Sequence, residues 1–537
     1  MTLPGAGSGA APPTVGARTG VDGTRGRSRS VTASQRFGEG RSLGWGLALT
    51  IVVACGAVAA VLLHRNGHNQ GDDFALYLRQ ARSIFDGDIA QVVADNRFAV
   101  INSGAAFSPI AYPWGWPLLL SPFVKWWGLD YDRLKLLEVA CFCAWVVLAH
   151  GIVRRRAGRL VALAVTAVVA TAPMLLAHTD QLLSEYPHAV ALGVFIWWFD
   201  RIKQERPLIG ASTRQLVVLG VLGAAAYNVR RESVILIGVI LVVQVVELAS
   251  AWRASSRLPI PWVTVATPHL AFVGSIVGFQ LLLPSMLVPD SGDGPRYIGA
   301  RIGDYAGVLT QHLGLGRHPL LGALILVLAV IGMAVGCVRR PRLDVPLTVL
   351  TLLSVATVST HFRMVGRYYF QVLPWVLYFA TAAIVAGVQL GRSREVRRVA
   401  AGIAAVPLAY LVAVHVAVLP GDIADARDFD RGGRQQIGPT DPNTIPIFEA
   451  VARHTEPDAV VAYFRARTMT LLTDRRAFQT TSFDRIQQRA DYFAQQRYST
   501  YFQPNLSEAQ ARAAGLVEVW SNERWILWRL PADRGGS

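Results

Sequence analysis

Lysine is nearly absent from this chain. Of its 52 basic residues only Lys125, Lys135 and Lys203 are lysines, a bias that suggests a GC-rich bacterial genome. Charge of either sign is scarce: 16% of the 537 residues are charged, against about 25% in ordinary soluble domains. Cysteine is scarce as well. Cys55, Cys141, Cys143 and Cys337 all lie in apolar stretches and none falls in the C-terminal region, so no disulfide framework is implied. Cys141 and Cys143 have no histidine at a plausible ligand spacing, which argues against a metal site there. The first 41 residues have hardly any large apolar side chains and cannot form a core; 1–41 reads as a disordered cytoplasmic tail.

What the chain has in excess is apolar length. Hydrophobic residues make up 52% and mean hydropathy is +0.35, more than soluble cores can hide. Uninterrupted runs near ~20 residues mark spans at 43–63, 133–153, 159–177, 187–200, 214–228, 233–251, 261–288, 319–338, 345–360, 368–390 and 399–419. The expected fold is therefore an α-helical polytopic membrane protein with about eleven transmembrane helices.

Charge in the connecting loops orients the spans. "RRRAGR" (154–159), "RIKQER" (201–206), "WRASSR" (252–257), "RRPR" (339–342) and "RSREVRR" (392–398) fall on one side. Asp72, Asp73, Asp180, Glu185, Asp290, Asp293 and Asp304 fall on the other. The positive-inside rule puts the N-terminus in the cytoplasm and the C-terminal region outside, in a multi-pass protein of the cell membrane. The net charge of +16 is accounted for by this loop pattern and does not call for nucleic acid as a partner.

Two outer segments are long. The first outer loop, 64–132, carries Phe74, Leu78, Ala81 and Phe85 at helical spacing with Arg79 and Arg82 between them. That stretch suits a helix lying along the membrane surface. "SPIAYPWGWPLLLSPFVKWWG" (108–128) is apolar but holds four prolines, and reads as re-entrant or interfacial. The second segment, 421–537, reads as a small soluble α/β domain outside the membrane. Its signals are a helix capped by Asn443 or Thr444 and running to His454, a strand at "AVVAYF", a helix at "SEAQARAAG" and a strand at "WILWRL". It shows no catalytic motif. The transmembrane part is then 42–420.

Four charged clusters sit at outer span ends. Asp72 and Asp73 open a helix; one can cap it, and the second is free to act as a general base, its pKa raised by the like charge beside it. In "HTDQLLSEYPH" (178–188), Asp180 and Glu185 bracket a turn where Ser184 can cap the next helix, or Glu185 can join Asp73 in a pocket. In "NVRRESV" (228–234), Arg230 and Arg231 interrupt an apolar run; they reach a wet cavity suited to phosphate, or Arg231 pairs with Glu232 at the surface. In "HFRMVGRYYFQVLP" (361–374), Arg363, Arg367 and Tyr368 fit a phosphate or sugar, or an interfacial belt. Asp86-Gly87-Asp88 reads as a turn rather than a metal triplet. An acid and several arginines on one side suit attack by a hydroxyl on a carbon whose leaving group is a phosphate.

These pieces resemble the GT-C membrane glycosyltransferases, in the branch of protein mannosyltransferases and the lipid A aminoarabinose transferase. The matching stretches are "GDDFALYLRQARSIFDGD", "YPWGWPLLLSPF", "LLSEYPHAV" and "GRYYFQVLPW", in that order over residues 43–400. The resemblance implies a GT-C-like enzyme with a polyprenyl-phosphate-linked sugar as donor, transferring with inversion on the extracytoplasmic face. Its acceptor is a hydroxyl of a lipid, glycan or protein. The catalytic base carries over to Asp73, with Asp72 as second choice. Glu185, Arg367 and Tyr368 match family positions that bind substrate. No cofactor is expected, and no metal ligand is assigned. Two other readings stand beside this one. One is a transporter or flippase of lipid-linked sugars, which should carry charges at mid-membrane on broken helices. The other is a polymerase or ligase of cell-surface glycan.

Overall fold

The computed structural model describes residues 33–104, 109–254, 261–285, 298–360, 365–388 and 394–531. The chain divides into two units, Met1–Leu47 and Ala48–Ser537. Of the first, only the start of helix Ala33–Leu63 is described; that helix begins inside the stretch expected to be a tail, the rest of which lies outside the described residues. Everything below concerns the second unit.

It is a multi-pass helical bundle. Among the described residues eight helices are long and apolar enough to cross a membrane. The described parts of the eleven expected spans fall mainly on helices, but three spans do not count separately. Helix Tyr131–Thr171 holds two of them, broken at Gly158 with φ 83° and ψ 179°. Glycine adopts this positive φ without a Cβ clash, so the chain bends between the two apolar runs, inside "RRRAGR". Helices Glu185–Glu205 and Thr213–Val229 hold the others; the first carries several charges and the second has 17 residues, so neither is among the eight. The segment Gly366–Val388 has 67% of its apolar window buried, against 11% for Trp262–Leu282, so the former is central and the latter peripheral. Gly332 lets helices Pro319–Arg339 and Leu373–Val388 touch: a Cβ there would collide with the Phe379 carbonyl oxygen.

A buried ionic cluster joins helix ends at the face of the basic loops. Arg156 grips Asp200 with both terminal nitrogens, at 2.6 and 2.7 Å. Its Nε lies 3.2 Å from Asp344, which also accepts from the Tyr378 hydroxyl at 3.0 Å. Arg156, Asp200 and Asp344 side chains are fully buried, and each charge is compensated, as burial demands.

The described part of segment 64–132 folds back onto the bundle. Helix Asp73–Asp86 buries Phe74, Leu78 and Ala81 against helix Gly115–Trp127, so its apolar face meets protein rather than lying along a membrane surface; of the four residues only Phe85 is exposed. Helix Gly115–Trp127 has 13 residues, too short to span. Asp86-Gly87-Asp88 is a turn, with Gly87 in the left-handed conformation closing the helix.

Helix Arg394–Arg431 runs through Pro420 and past the expected boundary at 421 as a largely solvent-exposed extension. Beyond it lies a five-stranded sheet of β1 Val460–Ala462, β2 Arg476–Phe478, β3 Tyr492–Gln496, β4 Val517–Ser521 and β5 Trp525–Arg529. The order is β2-β1-β3-β5-β4. β1 is parallel to β2 and β3, with Val461 opposite Ala477 and Tyr492. β5 is antiparallel to β3 and β4. Val461, Ala494 and Leu527 face one core with Phe448, while Ala462, Phe493 and Trp528 face another with Phe478. Helix Ala466–Thr473 follows β1 and carries the sheet region's contact with helix Asp73–Asp86: Leu471 joins the cluster of Phe74 and Leu78, and Arg82 pairs with Asp474 at 2.7 Å.

Candidate active site

The two adjacent aspartates part company. Asp72 occupies the N-cap position of helix Asp73–Asp86 but makes no side-chain bond to it. Its carboxylate instead accepts from Thr468 N at 3.1 Å, Thr468 Oγ1 at 3.3 Å and Arg467 N at 3.4 Å. It therefore caps helix Ala466–Thr473, whose first amides have no partner within the helix. The sequence-based cap is a cap, but of a different helix. Asp73 turns the other way. Its Oδ1 accepts from the Tyr112 hydroxyl at 2.6 Å and its Oδ2 from Arg367 Nη2 at 3.0 Å. Its side chain is 36% exposed, against 8% for residue Asp72, so Asp73 alone of the pair is open to solvent.

Arg367 joins two of the charged clusters. While Nη2 holds Asp73, Nε lies 2.9 Å from Glu185 Oε1. Arg230 Nη1 lies 3.0 Å from the same oxygen, and its Nη2 holds Glu232 at 2.7 Å. Both guanidinium groups lie over the Tyr368 ring, at 4.9 Å for Arg230 and 5.5 Å for Arg367. Ser184 does not cap the helix that follows it; its hydroxyl meets Tyr77 OH at 2.9 Å and accepts from Arg230 at 3.3 Å. Three local breaks bring these side chains together. Arg367 and Tyr368 lie on a 3-10 turn Gly366–Val372 at the mouth of a central helix. Arg230 ends helix Thr213–Val229 with extended backbone, and Glu185 opens its own helix.

The remaining expected residues fall elsewhere. Arg231 donates to the Ala111 carbonyl at 2.9 Å, beside Tyr112, and the pair expected for Arg231 with Glu232 is made by Arg230. Arg363 lies outside the described residues. Asp180, at the other end of the turn before Glu185, holds Lys135 at 2.8 Å.

Two residues of the site were missed, Tyr112 and Arg467. Arg467, from the sheet region, donates from Nη1 to Tyr112 OH at 3.1 Å, and that nitrogen lies 3.8 Å from Asp73 Oδ1. Its Nε donates to Asn96 and its Nη2 to the Pro109 carbonyl, both at 3.0 Å. The available signal was two arginines, Arg465 and Arg467, at a helix N-terminus, where the helix dipole disfavours cations.

Burial by itself would push the Asp73 carboxyl up. Arg367, Arg467 and the Tyr112 hydrogen bond outweigh it and hold the carboxyl below its ordinary value. For Asp72 burial dominates over Arg467, Arg465 and the amides of its cap, and the carboxyl sits above its ordinary value. Tyr112 is pushed well above the ordinary phenol value by burial and by Asp73, so it stays protonated and donates. The site thus offers an ionised, accessible carboxylate beside two guanidinium groups. It can accept a proton from one reactant while binding an anion on another. The donor set does not fit a divalent cation: both Asp73 and Glu185 are engaged by guanidinium groups, and among the described residues no group of three His, Cys, Asp or Glu could hold one.

No family model matches the chain. No curated protein matches it either. Solved structures do. ArnT from Cupriavidus metallidurans in the apo state is 14% identical and superposes with a TM-score of 0.52, over 93% of this chain and 100% of that one. The same protein bound to undecaprenyl phosphate gives 13% and 0.52, over 92% and 99%. The oligosaccharyltransferase of Archaeoglobus fulgidus in the apo form is 11% identical with a TM-score of 0.51, over 83% of this chain and 69% of that one. The architecture expected from the sequence, a polytopic helical bundle with a small α/β region at its C-terminal end, is the one found, and these solved structures share the fold.

Proposed function

We propose that this protein is a membrane glycosyltransferase that moves a sugar from a polyprenyl-phosphate carrier to an acceptor hydroxyl. Transfer takes place on the extracytoplasmic face, with inversion at the sugar carbon. The observation that carries this reading is the bridge made by Arg367, with Asp73 at 3.0 Å on one side and Glu185 at 2.9 Å on the other. A solvent-accessible carboxylate and a phosphate-binding fork thereby share one site. The likeness to ArnT bound to undecaprenyl phosphate supports a lipid-phosphate donor for this fold.

In this reaction the acceptor hydroxyl oxygen attacks the anomeric carbon as its proton passes to Asp73. The bond from that carbon to the phosphate oxygen breaks, and the electron pair leaves on the lipid phosphate, which gains a negative charge. Arg367 and Arg230 stabilise that developing charge. Asp73 is held weakly basic by its partners. As the donor phosphate draws Arg367, Asp73 loses part of its compensating charge and its proton affinity rises when the base is needed. Attack opposite the leaving group inverts the configuration. Glu185 holds Arg367 and Arg230 in register, and Tyr368 supports both from below.

The test is release of undecaprenyl phosphate from a panel of undecaprenyl-phosphate-linked monosaccharides by the purified full-length protein. Asp73→Asn should lower turnover by about 10²–10⁴ while melting and eluting as wild type. Full activity of Asp73→Asn refutes the base assignment. Movement of the lipid-linked sugar across a bilayer without transfer would establish the transporter reading instead.

A further inference from the structure

Arg467 of the C-terminal sheet region lies 395 positions beyond Asp72 in sequence, yet it delivers a guanidinium to the proposed base. Arg467 reaches Asp73 by two routes. One is direct, 3.8 Å from Nη1 to Oδ1. The other runs through Tyr112, which accepts from Arg467 at 3.1 Å and donates to Asp73 at 2.6 Å. The Arg467 side chain is 5% exposed, and its other nitrogens are spent on Asn96 and Pro109 of the first outer loop. Its backbone is fixed by Asp72, whose carboxylate takes the amides of Arg467 and Thr468. The neighbouring aspartates thus hold one residue from both ends: Asp72 its backbone, Asp73 its charge.

We propose that Arg467 is a positioning residue of the transfer reaction, supplied by the C-terminal region to orient Asp73 and set its proton affinity, with Asp72 as the anchor that docks it. This inference rests on the reading of Asp73 as the base. It gives the C-terminal region a part in the site, where the sequence shows no catalytic motif.

The charge balance at Asp73 is set by several elements. Arg367 comes from the 3-10 turn, Arg467 from the C-terminal region, and Arg230 from the end of its helix. Glu185 competes for Arg367. Tyr112, Tyr77 and Tyr368 are neutral hydroxyls around it, and Asp72 is the adjacent carboxylate. A guanidinium within about 4–6 Å lowers a carboxyl pKa by roughly one to three units. Asp73 is partly solvated, which favours the lower end of that range. Loss of the Arg467 charge should therefore raise the Asp73 titration by about one pH unit.

Two readouts test this in the full-length protein. The first is the acid limb of turnover against pH, with undecaprenyl-phosphate-linked monosaccharides as substrates. The second needs no turnover: the protonated-carboxyl infrared band assigned to Asp73 by subtraction of Asp73→Asn, titrated from neutral to acid pH. Arg467→Gln removes the charge but keeps hydrogen-bonding capacity, and should move both readouts up by about one pH unit. Arg467→Lys keeps a charge on a shorter arm without the fork, and should move them up by a smaller amount. A purely structural arginine would lower amplitude and leave both positions unchanged. An unmoved infrared titration in either folded variant overturns the proposal. If wild type turns over no donor, the transferase reading fails, and the infrared titration still decides whether Arg467 governs Asp73.

Discussion

Arg367→Gln is the substitution on which the proposed chemistry bears most directly. The residue contacts Asp73 at 3.0 Å and Glu185 at 2.9 Å, with a side chain 20% exposed. At an effective dielectric of ~20, each contact is worth about 5 to 6 kcal/mol in gross Coulomb energy. Desolvation of the buried groups offsets much of this. The Asp73 contact is further weakened because its carboxylate is 36% exposed, so the Glu185 contact, almost closed to solvent, is the stronger. What remains for catalysis is the stabilisation of a developing phosphate charge, about 2.7–4 kcal/mol for one lost donor, or 10²–10³ in turnover. Arg367→Gln should therefore reduce undecaprenyl phosphate release by that factor and move the acid limb upward, since Asp73 loses its nearest cation. Arg367→Lys should recover part of the rate, because an ammonium can hold one carboxylate but cannot span both. Turnover within about threefold of wild type in Arg367→Gln, an effect of under ~1 kcal/mol, would refute the role given to this bridge.

Two further outcomes concern stability. Arg156→Met leaves Asp200 buried without its main counter-charge and Asp344 with Arg340 alone, and should cost about 3–5 kcal/mol, read as a large fall in Tm; a change below ~1 kcal/mol would mean the cluster is already open to water. Asp180 sits above its ordinary value, at about 6, because burial outweighs its Lys135 partner. A carboxyl with a raised folded-state pKa binds its proton more tightly when folded, so its contribution is greatest below the unfolded value near ~4 and is lost as pH rises through about 6. The Tm of Asp180→Asn relative to wild type should therefore climb between about pH 4 and 6, by an amount equivalent to up to about 3 kcal/mol; a flat difference would contradict the burial argument.

Apolar run length was enough to find the helices, because a chain cannot place some twenty apolar residues in sequence without burying them or putting them in lipid. It was less able to separate them. Gly158 turns two runs into one broken helix, and the span ending at Val229 is followed directly by charged site residues. The convergence of Glu185, Arg230 and Arg367 was legible in outline, since charges at span ends that face one side must either meet or be solvated. Which arginine of the 230–231 pair enters the site was not legible. That depends on the helix ending at Val229, which sends Arg230 toward Glu185 and Arg231 toward Ala111. The amphipathic pattern of Phe74, Leu78 and Ala81 was read correctly as a one-sided helix, but periodicity states only that a face is buried, not against what. Here it is protein.

Arg467 shows the other limit. A contact across nearly 400 positions leaves no local periodicity to detect, but it does leave a local inconsistency. Arg465 and Arg467 stand at the N-cap and second position of helix Ala466–Thr473, at the positive end of its dipole, where basic residues are disfavoured. Such a conflict needs a distant compensation. Asp72 provides it, with a carboxylate on the first amides of that helix and close enough to feel both guanidinium groups. The same pressure explains why the loop before helix Asp73–Asp86 brings two aspartates where a helix start needs one. Neither caps its own helix. One neutralises the helix end that brings the arginine in, and the other uses that arginine. A change at Asp72 should thus act on chemistry through Arg467 rather than through loss of a second base. Asp72→Ala, unlike Asp73→Asn, should leave a measurable rate whose acid limb has moved in the direction of Arg467→Gln. A rate as low as that of Asp73→Asn with an unmoved limb would return Asp72 to the role of catalytic base.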